Sequence, residues 1–223
     1  MIHKRIAVKG QFDYSPPQEV LPLMLYKKAL LLSYFTLGYN ILEGLVSIFA
    51  GLSASSISLV GFGLDSFVES LSGGVMIWRF SKDGEIPEEE KEKIESKAIK
   101  LIAYTFFILG AYVLYESVKK LYFREISDPS LLGIIIAVAS IIVMPILFYA
   151  KYQTGKSIDS RSLVADSKQT LACVCLSIAL LIGLGLNYLY GLWWADPIIG
   201  LMIAAFLIEE GYSALKKEKL CSC

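Results

Sequence analysis

The chain has 223 residues, of which 55% are hydrophobic and only 19% charged, with a mean hydropathy of +0.58. A soluble domain carries about 25% charge. Here the charges are clumped between long apolar runs, which excludes an ordinary water-soluble fold and leaves a mostly helical integral membrane protein as the class. Lys plus Arg and Asp plus Glu balance at 21 each, so no bulk positive field points to nucleic acid.

Residues 1–28 are polar and mixed, contain Pro16-Pro17 and lack a basic stretch leading into an apolar one. They read as a cytosolic arm and not as a cleaved leader. Six apolar runs follow, at about 29–51, 57–80, 97–123, 130–149, 163–188 and 194–214. Each is long enough to cross a bilayer as a helix, which takes about 20 residues. Backbone groups in lipid must be satisfied internally, so helices are expected.

The first run carries Asn40 and Glu43, three apart and on one face. The second contains Ser58-Leu59-Val60-Gly61-Phe62-Gly63-Leu64-Asp65-Ser66-Phe67-Val68-Glu69, with two carboxylates one turn apart in an apolar setting. A carboxylate at the bilayer centre costs roughly 2.5–3.5 kcal/mol on insertion scales. Nothing basic in that run can pair with Asp65 or Glu69, so the pair asks for a function. Ser66, Ser70 and Gly74 form a row of small residues beside it, suited to close helix approach within one chain or across a dimer.

The charged stretch 81–96 has a turn signal at Asp83-Gly84 and Pro87 ahead of three Glu. It reads as the solvated start of the third helix in preference to a metal-collecting loop. In the third run Glu116 lies near Lys119 and Lys120, an interfacial ion pair. The fourth run holds Pro145 and no charge, and is assigned no chemistry.

The fifth run echoes the second. Ser58-Leu59-Val60 recurs as Ser162-Leu163-Val164, which sets Gln169 in the place of Asp65, Thr170 in that of Ser66 and Cys173 in that of Glu69. Internal repeats with a site at the midplane between them recur in transporters. Asp65 and Glu69 offer carboxylate oxygens, Gln169 a carbonyl oxygen and Cys173 a thiolate, a four-donor set of the size a tetrahedral Zn²⁺ site uses; Gln is a poor ligand, so three donors plus water fit equally. Mixed oxygen and sulfur donors suit Zn²⁺ or a neighbouring divalent metal. Cys173 reads equally as a small buried hydrophobe, and Gln169 as an interhelical hydrogen-bond partner. Asp166 sits one turn before Gln169, and Lys168 points to a different face. The sixth run opens with Trp193-Trp194-Ala195-Asp196-Pro197, in which the tryptophans suit a membrane interface and Asp before Pro suits a helix N-cap. Glu209 and Glu210 near its end read as exposed. Cys221-Ser222-Cys223 makes an incomplete soft-metal site.

Lys27, Lys28, Arg79, Lys82, Lys97, Lys151, Lys156 and Lys216 fall on one side of the six runs, and Lys119, Lys120 and Arg124 on the other. By the positive-inside rule both termini are cytosolic.

These residues resemble the cation diffusion facilitator family of divalent-metal transporters. The second-run pattern stands as Ser56, Leu59 and Asp65-Ser66-Phe67-Val68-Glu69. The fifth-run pattern stands as Ala165-Asp166-Ser167-Lys168-Gln169-Thr170-Leu171-Ala172-Cys173, and Asp196-Pro197 opens run six. The resemblance implies a transport site at Asp65, Glu69, Gln169 and Cys173, with metal–proton antiport by alternating access in a homodimer. Two departures accompany it. The family's usual His and Asp of the fifth run are replaced by Gln169 and Cys173. The family's cytosolic metal-binding domain is expected to be absent, which leaves the membrane helices to make any dimer. Asn40, Glu43 and Gly61-Phe62-Gly63-Leu64-Asp65-Ser66 resemble a short branch of the family, which makes Glu43 an extra ligand or proton carrier.

The expectation is an all-α six-helix membrane bundle, with a tail at 1–28, a transport domain at 29–215 and a short tail at 216–223. It is multi-pass in the cell membrane, with the lipid bilayer, a divalent metal and a second copy as its partners. Zn²⁺ or a related transition metal is its exported substrate, no prosthetic group is expected, and the candidate metal ligands are Asp65, Glu69, Cys173, Gln169, Glu43 and Asp166. No HExxH or nucleophile–base pair points to an enzyme. The rival expectation is a non-transporting membrane protein whose buried polar residues pack helices or bind a partner.

Overall fold

The computed structural model describes residues 20–82 and 87–220. The arm through residue 19, the Asp83-Gly84 turn and the Cys221-Ser222-Cys223 tail lie outside the described residues. The described residues form six helices and no strand: α1 (Val20–Ser53), α2 (Ile57–Ser81), α3 (Glu88–Phe123), α4 (Leu131–Ser157), α5 (Arg161–Tyr190) and α6 (Ala195–Leu220). The expected all-α bundle is borne out, and each helix overlaps one apolar run. Pro87 stands at the N-cap of α3, ahead of its acidic first turn, and α4 continues through Pro145.

Five of the six helices are long and apolar enough to cross a membrane; α2 is not among them. Its 25 residues give it the length, but Asp65, Glu69 and several serines lower its hydropathy. Position compensates. α2 packs against α1, α3, α5 and α6 and buries residues on every side, from Phe62 and Val68 to Asp65 and Glu69. The outer helices divide their faces the opposite way from those of a soluble protein. α1 turns Leu31, Phe35, Leu42, Leu45, Phe49 and Leu52 outward. It buries Ala29, Ser33, Thr36, Asn40, Glu43, Ser47 and Ala50, a polar stripe at helical three-and-four spacing. In lipid the outside is apolar and polar groups gather where neighbouring helices can satisfy them. An integral multi-pass membrane protein is the class this surface requires.

Two hairpins, α1–α2 and α4–α5, repeat one another. Ser55 and Asp159 adopt left-handed backbone at φ of 50° and 51°. The next residues, Ser56 and Ser160, donate N–H to Gly51 and Gly155 carbonyls at 2.8 and 2.9 Å. Their hydroxyls then cap α2 and α5 at Leu59 and Leu163 N–H, both at 3.3 Å. Close packing needs the two glycines: a Cβ on Gly51 would lie 2.8 Å from the Val60 nitrogen, and one on Gly155 3.1 Å from that of Val164. The echo in the sequence is therefore an echo of whole helical hairpins, and α3 and α6 pack together as a third pair.

The ends differ in how they are closed. The Asp196 carboxylate, fully buried, does not cap its own helix as Asp before Pro suggested; it caps α2. It accepts from Ile57 N–H at 3.0 Å and Ser58 N–H at 3.3 Å, and from the hydroxyls of Ser56, Ser58 and Ser127 at 2.5, 2.5 and 2.8 Å. These N–H groups are the orphan donors of a helix start, where a carboxylate also meets the positive end of the macrodipole. Lys120 is 3.8 Å from the same carboxylate and donates to the Ser55 carbonyl. It is thus drawn away from Glu116, whose ion pair is with Lys119 at 3.2 Å.

Candidate functional site

The central helix α2 brings Asp65 and Glu69 into the interior, where they are 3% and 1% exposed. Glu69 Oε1 accepts from Thr170 Oγ1 of α5 at 2.7 Å. Thr170 in turn accepts from Lys151 Nζ of α4 at 2.9 Å. Lys151 is fully buried, 2.9 Å from Asp166 Oδ2 and 4.0 Å from Glu69 Oε1. Ser72 donates to Asp166 Oδ1 at 3.1 Å. A lysine, two carboxylates and two hydroxyls thus join α2, α4 and α5 in one network, with each charge facing an opposite one as low-dielectric burial requires.

Glu43 enters from α1, where Ser66 donates to its Oε2 at 2.9 Å. Ser66 and Ser70 of the small-residue row are buried within the chain, whereas a Cβ on Gly74 would meet nothing within 4 Å. Asp65 lies within electrostatic reach of Glu69, Glu210 and Glu43. Cys173 is buried and within reach of Glu69, Glu43 and Asp65. Gln169 is half-buried on the same helix. Several buried polar atoms have no hydrogen-bond partner: Asn40 Oδ1 and Nδ2, Glu43 Oε1, Glu69 Oε2 and Gln169 Nε2. Leaving such a group unpaired costs about 1–3 kcal/mol; the oxygens among them are acceptors and the two amide nitrogens are donors.

The structure therefore gathers Glu69 and Asp166 around one ammonium and sets Glu43, Asp65 and Cys173 within electrostatic range. No group of three or more His, Cys, Asp or Glu side chains stands in metal-holding arrangement among the described residues. What the carboxylates grip is Lys151, which the sequence reading set on the basic surface two residues beyond a chargeless run. A signal was available. Ala137, Ser140, Met144 and Leu147 are the buried stripe of α4, and the same three-and-four spacing continues to Lys151 and Thr154. Lys168, by contrast, is exposed as its face implied.

A family of cation efflux transmembrane domains matches residues 33–220 of the chain. Transmembrane protein 163 of Xenopus laevis is 20% identical over 190 residues, covering 85% of this chain and 66% of that protein. An uncharacterized transporter of Methanocaldococcus jannaschii is 25% identical over 177 residues, covering 78% and 62%. The cation-efflux pump FieF of Shewanella oneidensis is 22% identical over 172 residues, covering 75% and 57%. The chain spans 57% to 66% of the length of these curated relatives.

Proposed function

The chain belongs to the cation efflux family, and from that premise we propose that it exports a divalent metal cation, Zn²⁺ or a related transition metal, through a site between α2 and α5. The observation that carries this reading is the burial of Asp65 and Glu69 on the central helix, with the unpartnered oxygens Asn40 Oδ1, Glu43 Oε1 and Glu69 Oε2 gathered there. Asp65 and Glu69 are the core ligands, with Cys173, Gln169, Glu43 and Asp166 completing the shell as the cation passes. Hard carboxylate oxygens with one sulfur donor favour a divalent metal over an alkali ion. Exchange against protons would run on these carboxylates, because the sequence has a single histidine, His3, in the amino-terminal arm. The working unit in this reading is a homodimer joined through membrane helices.

The test is uptake of Zn²⁺ by proteoliposomes loaded with a metal-sensitive dye. Wild type gives saturable uptake, and Asp65→Ala, with an unchanged circular dichroism spectrum, gives none above empty vesicles. Unaltered uptake by Asp65→Ala removes the site. A second reading, a non-transporting protein whose polar core only holds helices together, is favoured by the Lys151–Asp166–Thr170–Glu69 network, which ties three helices without any metal. It predicts no saturable divalent-cation binding, and a titration separates the two.

A further inference from the structure

Four carboxylates, Glu43, Asp65, Glu69 and Asp166, lie buried in the helical core, and one lysine, Lys151, is buried with them. Its placement is specific. The ammonium does not snorkel to the surface as a lysine near a helix end ordinarily does; it turns inward to Asp166 and Thr170 and sits 4.0 Å from a carboxylate oxygen of Glu69. The two oxygens of Glu69 are engaged unequally. Its Oε1 takes the Thr170 proton, while Oε2 has no partner and neither has Oε1 of Glu43. The lysine therefore covers the α4–α5 side of a polar interior whose α1–α2 side is unfinished.

We propose that Lys151 is a tethered counter-cation, which compensates the site's buried charge when no divalent cation is bound and weakens the hold of Glu69 on the cation that is. This inference rests on the transport reading above. Two positive charges that share Glu69 oppose each other, so binding of one must loosen the other by the same factor. The consequence for transport is direct. Without the ammonium an emptied site leaves several carboxylates together in a low-dielectric core, which disfavours release. With it, the emptied site keeps a cation of its own. Lys151 is thus a positioning and affinity-setting residue, not a ligand. The equivalent place in the first hairpin, by the register that matches Ser56 to Ser160, is held by buried Ser47. The counter-charge belongs to one half of the repeat alone.

The experiment measures Zn²⁺ affinity by equilibrium titration of purified protein, and Zn²⁺ uptake in proteoliposomes, for wild type, Lys151→Met and Lys151→Arg. Lys151→Met binds Zn²⁺ at least about tenfold tighter, within the 5–150-fold range of ordinary coupling. Its uptake shows a lower KM and a lower kcat, because the cation is held and not released. Lys151→Arg retains the charge and the wild-type affinity. Because Lys151→Met alone leaves carboxylates uncompensated and can misfold, Asp166→Asn is compared with the double variant Lys151→Met, Asp166→Asn. That pair removes the ammonium together with its partner, and the double variant again binds tighter by about tenfold. Equal or weaker binding in the neutral variants, with wild-type uptake intact, overturns the role of Lys151 and leaves transport standing. Absence of saturable Zn²⁺ binding and uptake in every variant overturns the transport reading and this inference with it.

Discussion

Asp196 carries more hydrogen bonds than any other side chain described above, and its removal is the most informative single change outside the polar core. Asp196→Ala removes the acceptor shared by the N–H groups of Ile57 and Ser58 and three serine hydroxyls, and takes the nearby opposite charge from the Lys120 ammonium. Breaking a buried charged contact by deleting one partner costs about 3–5 kcal/mol. Asp196→Asn keeps one accepting oxygen and costs less, about 1–3 kcal/mol. Thermal unfolding in detergent should rank wild type above Asp196→Asn above Asp196→Ala; equal melting of all three would show that the cap is not holding α2. At this scale the sequence was legible where a residue violated its surroundings. Asp65 and Glu69 stood out because charge in an apolar run is costly. Asp196 and Lys151 did not, because an Asp before Pro and a Lys just past an apolar run each have an ordinary local explanation. Their actual partners lie on other helices, at Ile57 and at Asp166, and nothing local announces that.

At the scale of elements, the two hairpins depend on glycine at matching points. Gly51→Ala places a methyl 2.7 Å from Val60 Cγ2 and 2.8 Å from its backbone nitrogen. Backbone cannot yield as a side chain can, so the α1–α2 hairpin must open, at a cost of about 1–3 kcal/mol. Gly155→Ala meets Val164 at 3.0 Å and is expected to be milder. Gly185→Ala in α5 meets nothing within 4 Å and should be neutral or stabilising by up to about 1 kcal/mol, the helix-propensity gain. Melting temperatures that failed to separate Gly51→Ala from Gly185→Ala would refute the close-contact account. The helices themselves were readable from apolar length, and five were readable with nothing more. The repeat was readable only as Ser-Leu-Val at 58–60 and 162–164. The turn that makes it a repeat uses Ser55 in one copy and Asp159 in the other, chemically different residues of which only Asp is a type that visits left-handed backbone at all often.

For the molecule as a whole, α2 is the element whose place depends on all the others. Each of its two carboxylates adds roughly 2.5–3.5 kcal/mol near the bilayer centre, and no compensating cation lies on the helix beside them. The compensation comes from Thr170 of α5 and Lys151 of α4 for Glu69, while Ser66 of α2 donates to one oxygen of Glu43 of α1 in return. Entry into the membrane and assembly of the site are then one event for α2, and two events for α4. This predicts a difference in autonomous insertion. Placed singly in a host membrane protein with glycosylation acceptors on either flank, the α4 segment should insert in nearly every molecule and the α2 segment in a minority. Asp65→Leu with Glu69→Leu should bring α2 to the level of α4, and supplying α1 ahead of it should recover only part of that gain, because Glu69 still lacks α4 and α5. If the unmodified α2 segment inserts alone as well as α4 does, its carboxylates are tolerated by lipid without help. The surrounding helices would then be needed only for what the site does, not for holding it in the membrane.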